Sequence, residues 1–134
     1  MGRPVAVRAL LDTHAFLWWL ADSERLSQPA RRAIADDANE IAVSAASAWE
    51  IATKFRIGKL PGADSLARDI AGHIARQGFE ELPVRVADAE RAGHLPGPHR
   101  DPFDRMLIAQ ALTYDLPVVS VDTMFDRYGV ARLW

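Results

Sequence analysis

Short β-type runs alternate with longer helical stretches along the whole of this chain, and that rhythm limits its fold more than any other feature. Residues 5–11, 40–44, 79–84 and 116–122 read as strands, and the terminal Val-Ala-Arg-Leu-Trp as a short edge strand. Helical spacing marks residues 13–21, a stretch from Ser27 and Pro29 to about 38, and a stretch from Ser44 to Gly58. It continues from Asp64 through Leu66, Ile70 and Ile74, then over 86–94, and from Pro102 to Asp115. Strands separated by helices pair in parallel through crossovers, and those crossovers cover the sheet. The expected fold is α/β: one domain, residues 1–134, with a central, mainly parallel sheet flanked by helices on both faces. Functional loops of such a sheet gather at the carboxyl ends of its strands.

Composition removes several classes of function. The chain has no cysteine, hence no disulfide, thiolate nucleophile or zinc–thiolate site. Its longest apolar run near the N-terminus, residues 15–21, is too short to span a bilayer and lacks the flanks of a signal peptide. The expectation is a cytoplasmic protein with no membrane partner. A formal charge of −2 argues against a nucleic-acid binder that relies on an overall basic surface. His14, His73, His94 and His99 show no metal-ligand spacing, and no P-loop, G-x-G-x-x-G or G-x-S-x-G is present.

The acidic residues are more informative. Asp12 is the one acid in Arg-Ala-Leu-Leu-Asp-Thr-His-Ala-Phe-Leu-Trp-Trp-Leu-Ala, at the junction of a strand and a helix. It suits a helix N-cap, and it equally suits a site beyond a strand end. Asp122 ends the fourth strand, or merely opens the turn after it. Glu50 lies on the helix that Ser44 caps, among Trp49, Ile51 and Ala52. Asp104 lies in the first turn of the helix after the loop Gly-His-Leu-Pro-Gly-Pro-His, where Asp101 before Pro102 makes a natural N-cap. Each position has a purely structural explanation. Together the four flank apolar segments that must pack near one another. Clustered carboxylates repel and would protonate unless a cation neutralised them, which points to Mg²⁺ or Mn²⁺. Such an ion can activate water for phosphodiester hydrolysis, and it supplies the positive charge that the composition lacks. Arg100 and Arg105 flank these acids and are placed to meet a nucleic-acid phosphate. Lys54, Arg56 and Lys59 read as companions of a helix C-terminus.

Four blocks, Leu-Leu-Asp-Thr-His-Ala-Phe-Leu-Trp-Trp-Leu, Ala-Val-Ser-Ala-Ala-Ser-Ala-Trp-Glu-Ile-Ala-Thr-Lys-Phe-Arg-Ile-Gly-Lys-Leu, Arg-Asp-Pro-Phe-Asp-Arg-Met-Leu-Ile-Ala-Gln-Ala-Leu and Leu-Pro-Val-Val-Ser-Val-Asp, occur in this order over nearly the whole chain. Together they resemble the PIN domain, specifically the VapC-type toxins of bacterial toxin–antitoxin pairs. The resemblance implies a Mg²⁺- or Mn²⁺-dependent endoribonuclease, inhibited by a cognate antitoxin and usually a homodimer. Its acidic set falls on Asp12, Glu50, Asp104 and Asp122. Thr13 and Ser120 fall on hydroxyl positions that support the first and last acids. Asp126 is a second candidate for the fourth acid, since some relatives carry that acid a few residues later.

The competing class is a non-catalytic α/β module, either a receiver-like signalling domain or an RNA-binding relative with an acidic metal pocket. A receiver would need an acceptor Asp ending its third strand and a late Lys, and it leaves Glu50 unexplained. The segment Ala-Phe-Leu-Trp-Trp-Leu is apolar around its whole circumference, so Trp18 or Trp19 is expected at a partner interface.

Overall fold

A computed structural model describes residues 6–134. Its strands are β1 (Arg8–Leu11), β2 (Glu40–Ser44), β3 (Glu80–Leu82), β4 (Val118–Val119) and β5 (Arg132–Leu133). They form a single sheet in the order β3-β2-β1-β4-β5, with every neighbouring pair parallel. The expected α/β architecture is therefore present, and among the described residues the sheet is wholly parallel. Alternate side chains enter opposite cores, as the two-residue strand period requires. Ala9, Leu11, Ile41, Val43 and Val119 pack on one face with Phe16, Ile34 and Ile51. Leu10, Ala42 and Val118 pack on the other with Leu107, Ile108 and Phe125. Because both faces are buried, the strands read as continuous apolar runs.

The helices are α1 (Thr13–Leu20), α2 (Gln28–Ala35), α3 (Ala45–Arg56), α4 (Asp64–Arg68), α5 (Ile70–Arg76), α6 (Val86–His94), α7 (Pro102–Tyr114) and α8 (Met124–Arg127). From β1 the chain moves outward to β2 and β3, then crosses back to β4 on the other side of β1. The crevice where ligands bind in such sheets lies at this reversal, between the ends of β1 and β4.

Several boundaries differ from expectation. The first strand begins at Arg8, and Val5 lies outside the described residues. The strands expected over 79–84 and 116–122 pair only at their centres. One helix was expected from Asp64 through Ile74. Two are present, because Asp69 leaves helical geometry (φ −153°) and its carboxylate restarts the chain by accepting from the Gly72 amide at 3.0 Å. Helix α2 stops at Ala35 because the Asp36 carboxylate turns the chain by accepting from the Ala38 amide at 2.9 Å. The short helix α8 occupies what was read as a turn.

Helices α6 and α7 form an antiparallel hairpin. The Tyr114 hydroxyl donates to Asp88 Oδ1 at 3.0 Å at one end, and the Arg105 guanidinium donates to the Ala92 carbonyl at 3.0 Å at the other. Trp18 and Trp19 are both half-buried within the chain. Trp18 lies against Trp134, ring centroids 5.9 Å apart, and Trp19 donates from Nε1 to Gln77 at 2.9 Å. The most exposed large apolar side chains are instead Val86 and Trp49, at 85% and 65%.

Candidate active site

The register of the central strands sets the first pair of acids. Leu11 lies opposite Val119, so Asp12 follows β1 at the level where Ser120 follows β4. Asp12 is buried, and Oδ1 caps α1 by accepting from the Ala15 amide at 2.7 Å. The capping role and the site position therefore belong to one residue. Burial raises the Asp12 carboxyl above its ordinary value, against the Ser120 hydroxyl and the Ala15 amide, which favour its charged form; the Asp122 charge raises it further. Ser120 Oγ also accepts from the Asp122 amide at 2.9 Å, and Asp122 Oδ1 accepts from the Met124 amide at 2.9 Å. Thr13 donates to Ser47 at 2.9 Å, which ties the start of α1 to α3.

A buried hydrogen bond places the second pair. Ser44, at the end of β2, donates to Gln110 of α7 at 2.6 Å. Glu50 lies six residues after Ser44, and Asp104 six residues before Gln110, so helical rise carries each about 9 Å from this pin. Helices α3 and α7 thus present Glu50 and Asp104 beside one another, and the Glu50 charge acts on Asp104. The rings of the preceding residues, Trp49 and Phe103, meet edge to face at 4.9 Å. They help to line an apolar cleft of about 450 Å³ between α3, α6 and α7. Asp101 caps α7, its Oδ1 accepting from the amides of Phe103 and Asp104 at 2.9 and 3.1 Å. Asp104 is raised chiefly by burial; His99, 2.9 Å from its Oδ2, opposes the shift, and the charges of Asp101 and Glu50 add to it.

Two basic residues differ from their sequence reading. Lys54 turns back from the helix end, its Nζ 2.5 Å from Glu50 Oε2. The signal was present as a Glu–Lys pair four residues apart on one helix face. His99, for which the sequence offered an ordinary polar role near the acids, is joined to Asp104. The expectation that Arg105 meets phosphate is corrected, because its guanidinium is taken up by the chain itself. It donates to the carbonyls of Ala92, His99 and Leu95 at 3.0, 2.9 and 2.5 Å, closing the loop between α6 and α7. Arg100 remains exposed. Asp126 makes a two-oxygen pair with Arg132 at 3.0 and 3.3 Å, whereas Asp122 is the acid whose charge acts on Asp12.

The donor set is carboxylate oxygen throughout, with Asp12 and Asp104 both pushed towards protonation, the response that a bound cation relieves. This fits a hard divalent ion. Among the described residues no three acids or histidines converge at direct-ligand spacing. The fit is therefore to an ion taken by one or two carboxylates with water completing its shell, the habit of Mg²⁺.

The raised Asp12 carboxyl also predicts a stability effect with a definite sign. An acid whose folded pKa lies above its unfolded value opposes folding once ionised, and falling pH relieves the cost as it passes through the folded pKa. Asn caps a helix nearly as well as Asp. In EDTA at pH 7, Asp12→Asn is expected to melt above the parent protein, and the gap to narrow as pH falls towards the usual carboxylate range. A lower melting temperature in EDTA would show that the Asp12 charge is already compensated within the chain.

The class defined by this parallel sheet and the acids that follow its strands and line its helices is the PIN domain, to which the chain belongs: residues 9–131 match that family. Among individual proteins it is similar to Ribonuclease VapC22 of Mycobacterium tuberculosis (strain ATCC 25618 / H37Rv), with 34% identity over 116 residues, 84% of this chain and 85% of the relative. Ribonuclease VapC16 of the same strain is 46% identical over 54 residues, 40% of this chain and 38% of that one. Among solved structures, VapBC2 from Rickettsia felis bound to a promoter DNA fragment has a matching chain with a TM-score of 0.68 at 14% identity, covering 94% of this chain and 97% of that one. A toxin–antitoxin complex from Klebsiella pneumoniae gives 0.60 at 21%, covering 86% and 87%. At these identities the structural likeness speaks for the fold alone.

Proposed function

We propose that this chain is the ribonuclease of a toxin–antitoxin pair, an endoribonuclease that hydrolyses RNA phosphodiester bonds with Mg²⁺ or Mn²⁺. One observation carries the reading: in a PIN domain similar to Ribonuclease VapC22, Asp12 and Asp122 meet at the reversal of the sheet while Glu50 and Asp104 meet beside it. Asp12, Asp104 and Asp122 would hold the ion between them, one or two of them directly and the rest through its water. When bound, it supplies positive charge against the phosphate and lowers the pKa of a coordinated water.

The chain's own groups orient the acids before substrate arrives. Ser120 faces the Asp12 carboxylate and accepts from the Asp122 amide, His99 holds one oxygen of Asp104, and Lys54 holds one oxygen of Glu50. Supporting partners of this kind fix ligand geometry in advance. Exposed Arg100, next to the cap of α7, is the basic side chain suited to RNA phosphate. The partners that follow from the reading are RNA, a cognate antitoxin and a second copy of the chain, in the cytoplasm. Two of the structural relatives are described as VapBC2 and as a toxin–antitoxin complex. Among the described residues no helix is long and apolar enough to cross a membrane.

The test is cleavage of a panel of RNAs by the purified protein with Mn²⁺ or with EDTA, alongside its melting temperature under both conditions. An ion that binds only the folded chain stabilises it by about 2.7 kcal/mol at a hundred times Kd. Expected are Mn²⁺-dependent cleavage and a melting temperature that rises with Mn²⁺ and falls back with EDTA. RNA binding without cleavage would support the non-catalytic module instead.

A further inference from the structure

We propose that Lys54 is a resident cation of this site: its ammonium occupies the place beside Glu50 and the first turn of α7 where a second divalent ion would otherwise bind, so that the enzyme works with one metal ion. The inference rests on the metal-dependent reading above.

An ordinary Glu–Lys pair one helical turn apart has both partners in solvent and little energetic consequence. This pair is different. The Glu50 side chain is 4% exposed and that of Lys54 34%, so the lysine reaches inward to a carboxylate that water hardly touches. Nζ stands 2.5 Å from Glu50 Oε2, and the charges of Asp101 and Asp104 also act upon it. One carboxylate is therefore in contact with this ammonium, and the charges of two more at the start of α7 reach it from farther away. A divalent ion brought to the same place would be repelled by that ammonium and would find one oxygen of Glu50 already taken.

The other end of the site is built without such an ammonium. Asp12 takes its hydrogen bonds from the Ala15 amide and the Ser120 hydroxyl, both neutral; of the charges that act on it, His14 favours its ionised form without bonding to it and Asp122 opposes it. That end needs a cation from outside the chain, and the Glu50 end carries its own.

The experiment counts Mn²⁺ bound per chain, from the loss of the free-ion electron paramagnetic resonance signal, with circular dichroism to verify the fold of each variant. The parent chain is expected to bind one ion and Asp12→Asn to lose it. Lys54→Met should bind a second ion, whereas Lys54→Arg should stay at one. Should the buried Glu50 charge unfold the Met variant, Lys54→Gln keeps a donor for Glu50 while removing the charge, and it too should bind two. The double variant Glu50→Gln/Lys54→Met should return to one, since the second ion depends on Glu50. Two ions on the parent chain would overturn the proposal, as would one ion on every folded Lys54 variant. No ion on the parent chain at all would overturn the metal-dependent reading itself, a result distinct from either of those.

Discussion

Asp104→Asn is expected to lower Mn²⁺-dependent RNA cleavage at least about 100-fold, because the charge stabilisation a catalytic metal supplies is worth several kcal/mol and each 1.4 kcal/mol is tenfold in rate. Asp101→Asn, in the same turn, is expected to leave most of the activity. The two residues divide the work of one helix start. Asp101 takes the amides of Phe103 and Asp104, a task Asn performs nearly as well. Asp104 accepts no amide in that turn; its carboxylate instead faces His99 and the charge of Glu50. Asp12→Asn should behave as Asp104→Asn does in activity, despite its gain in stability without metal. Cleavage of an RNA panel by each folded variant checks all three. An inactive Asp101→Asn beside an active Asp104→Asn would reverse the assignment.

Gln110→Leu is expected to cost about 1–3 kcal/mol of folding stability, read from urea unfolding, although leucine fills nearly the same space. Gln110 is fully buried. Its Oε1 accepts from the Ser44 hydroxyl at 2.6 Å, and its Nε2 donates to the Pro83 carbonyl at 3.1 Å. Leucine leaves the fully buried Ser44 hydroxyl without its acceptor, and a buried polar group so stranded costs about 1–3 kcal/mol, whereas exposed Pro83 can turn its carbonyl to water. Nearby Asp88 keeps the Tyr114 hydroxyl and the Arg85 amide. Activity should fall further than stability explains at temperatures where the variant is folded, because the same bond sets the spacing of α3 and α7. A loss below about 1 kcal/mol would show that the helices are held by their apolar contacts alone.

The contrast between Asp104 and Gln110 shows what the sequence makes legible. Asp104 stands out because it lies one turn into a proline-led helix start, after a Pro- and Gly-rich loop, where Asp101 already supplies the cap. The alternation of strands and helices, the end of β1 and the cap at Ser44 are legible for the same local reason, whereas β4 stops at Val119, three residues short of the Asp122 expected to end it. Gln110 is invisible: one amide within an apolar helix, whose partners come from β2 and from the turn after β3. Arg105 misleads in the opposite way, since a basic residue next to an acid reads as phosphate-facing until the carbonyls of the preceding loop are seen to surround it. Lys54 and Asp69 lie between these cases. Their spacing and side-chain chemistry carry the signal, but only the packed chain shows which of two local uses is taken.

The clasp of Arg105 has a consequence for turnover. Segments that open and shut over a reaction are drawn from the least stable parts of a fold, and their motion often limits kcat. The stretch between α6 and α7 is built the other way. Its carbonyls converge on the Arg105 guanidinium. Its Gly97 holds a positive φ of 91°, with the Tyr128 hydroxyl 2.9 Å from where a side chain would begin. That segment is a fixed wall and not a door, so under the proposed reaction a substrate would reach the acids without waiting for it to move.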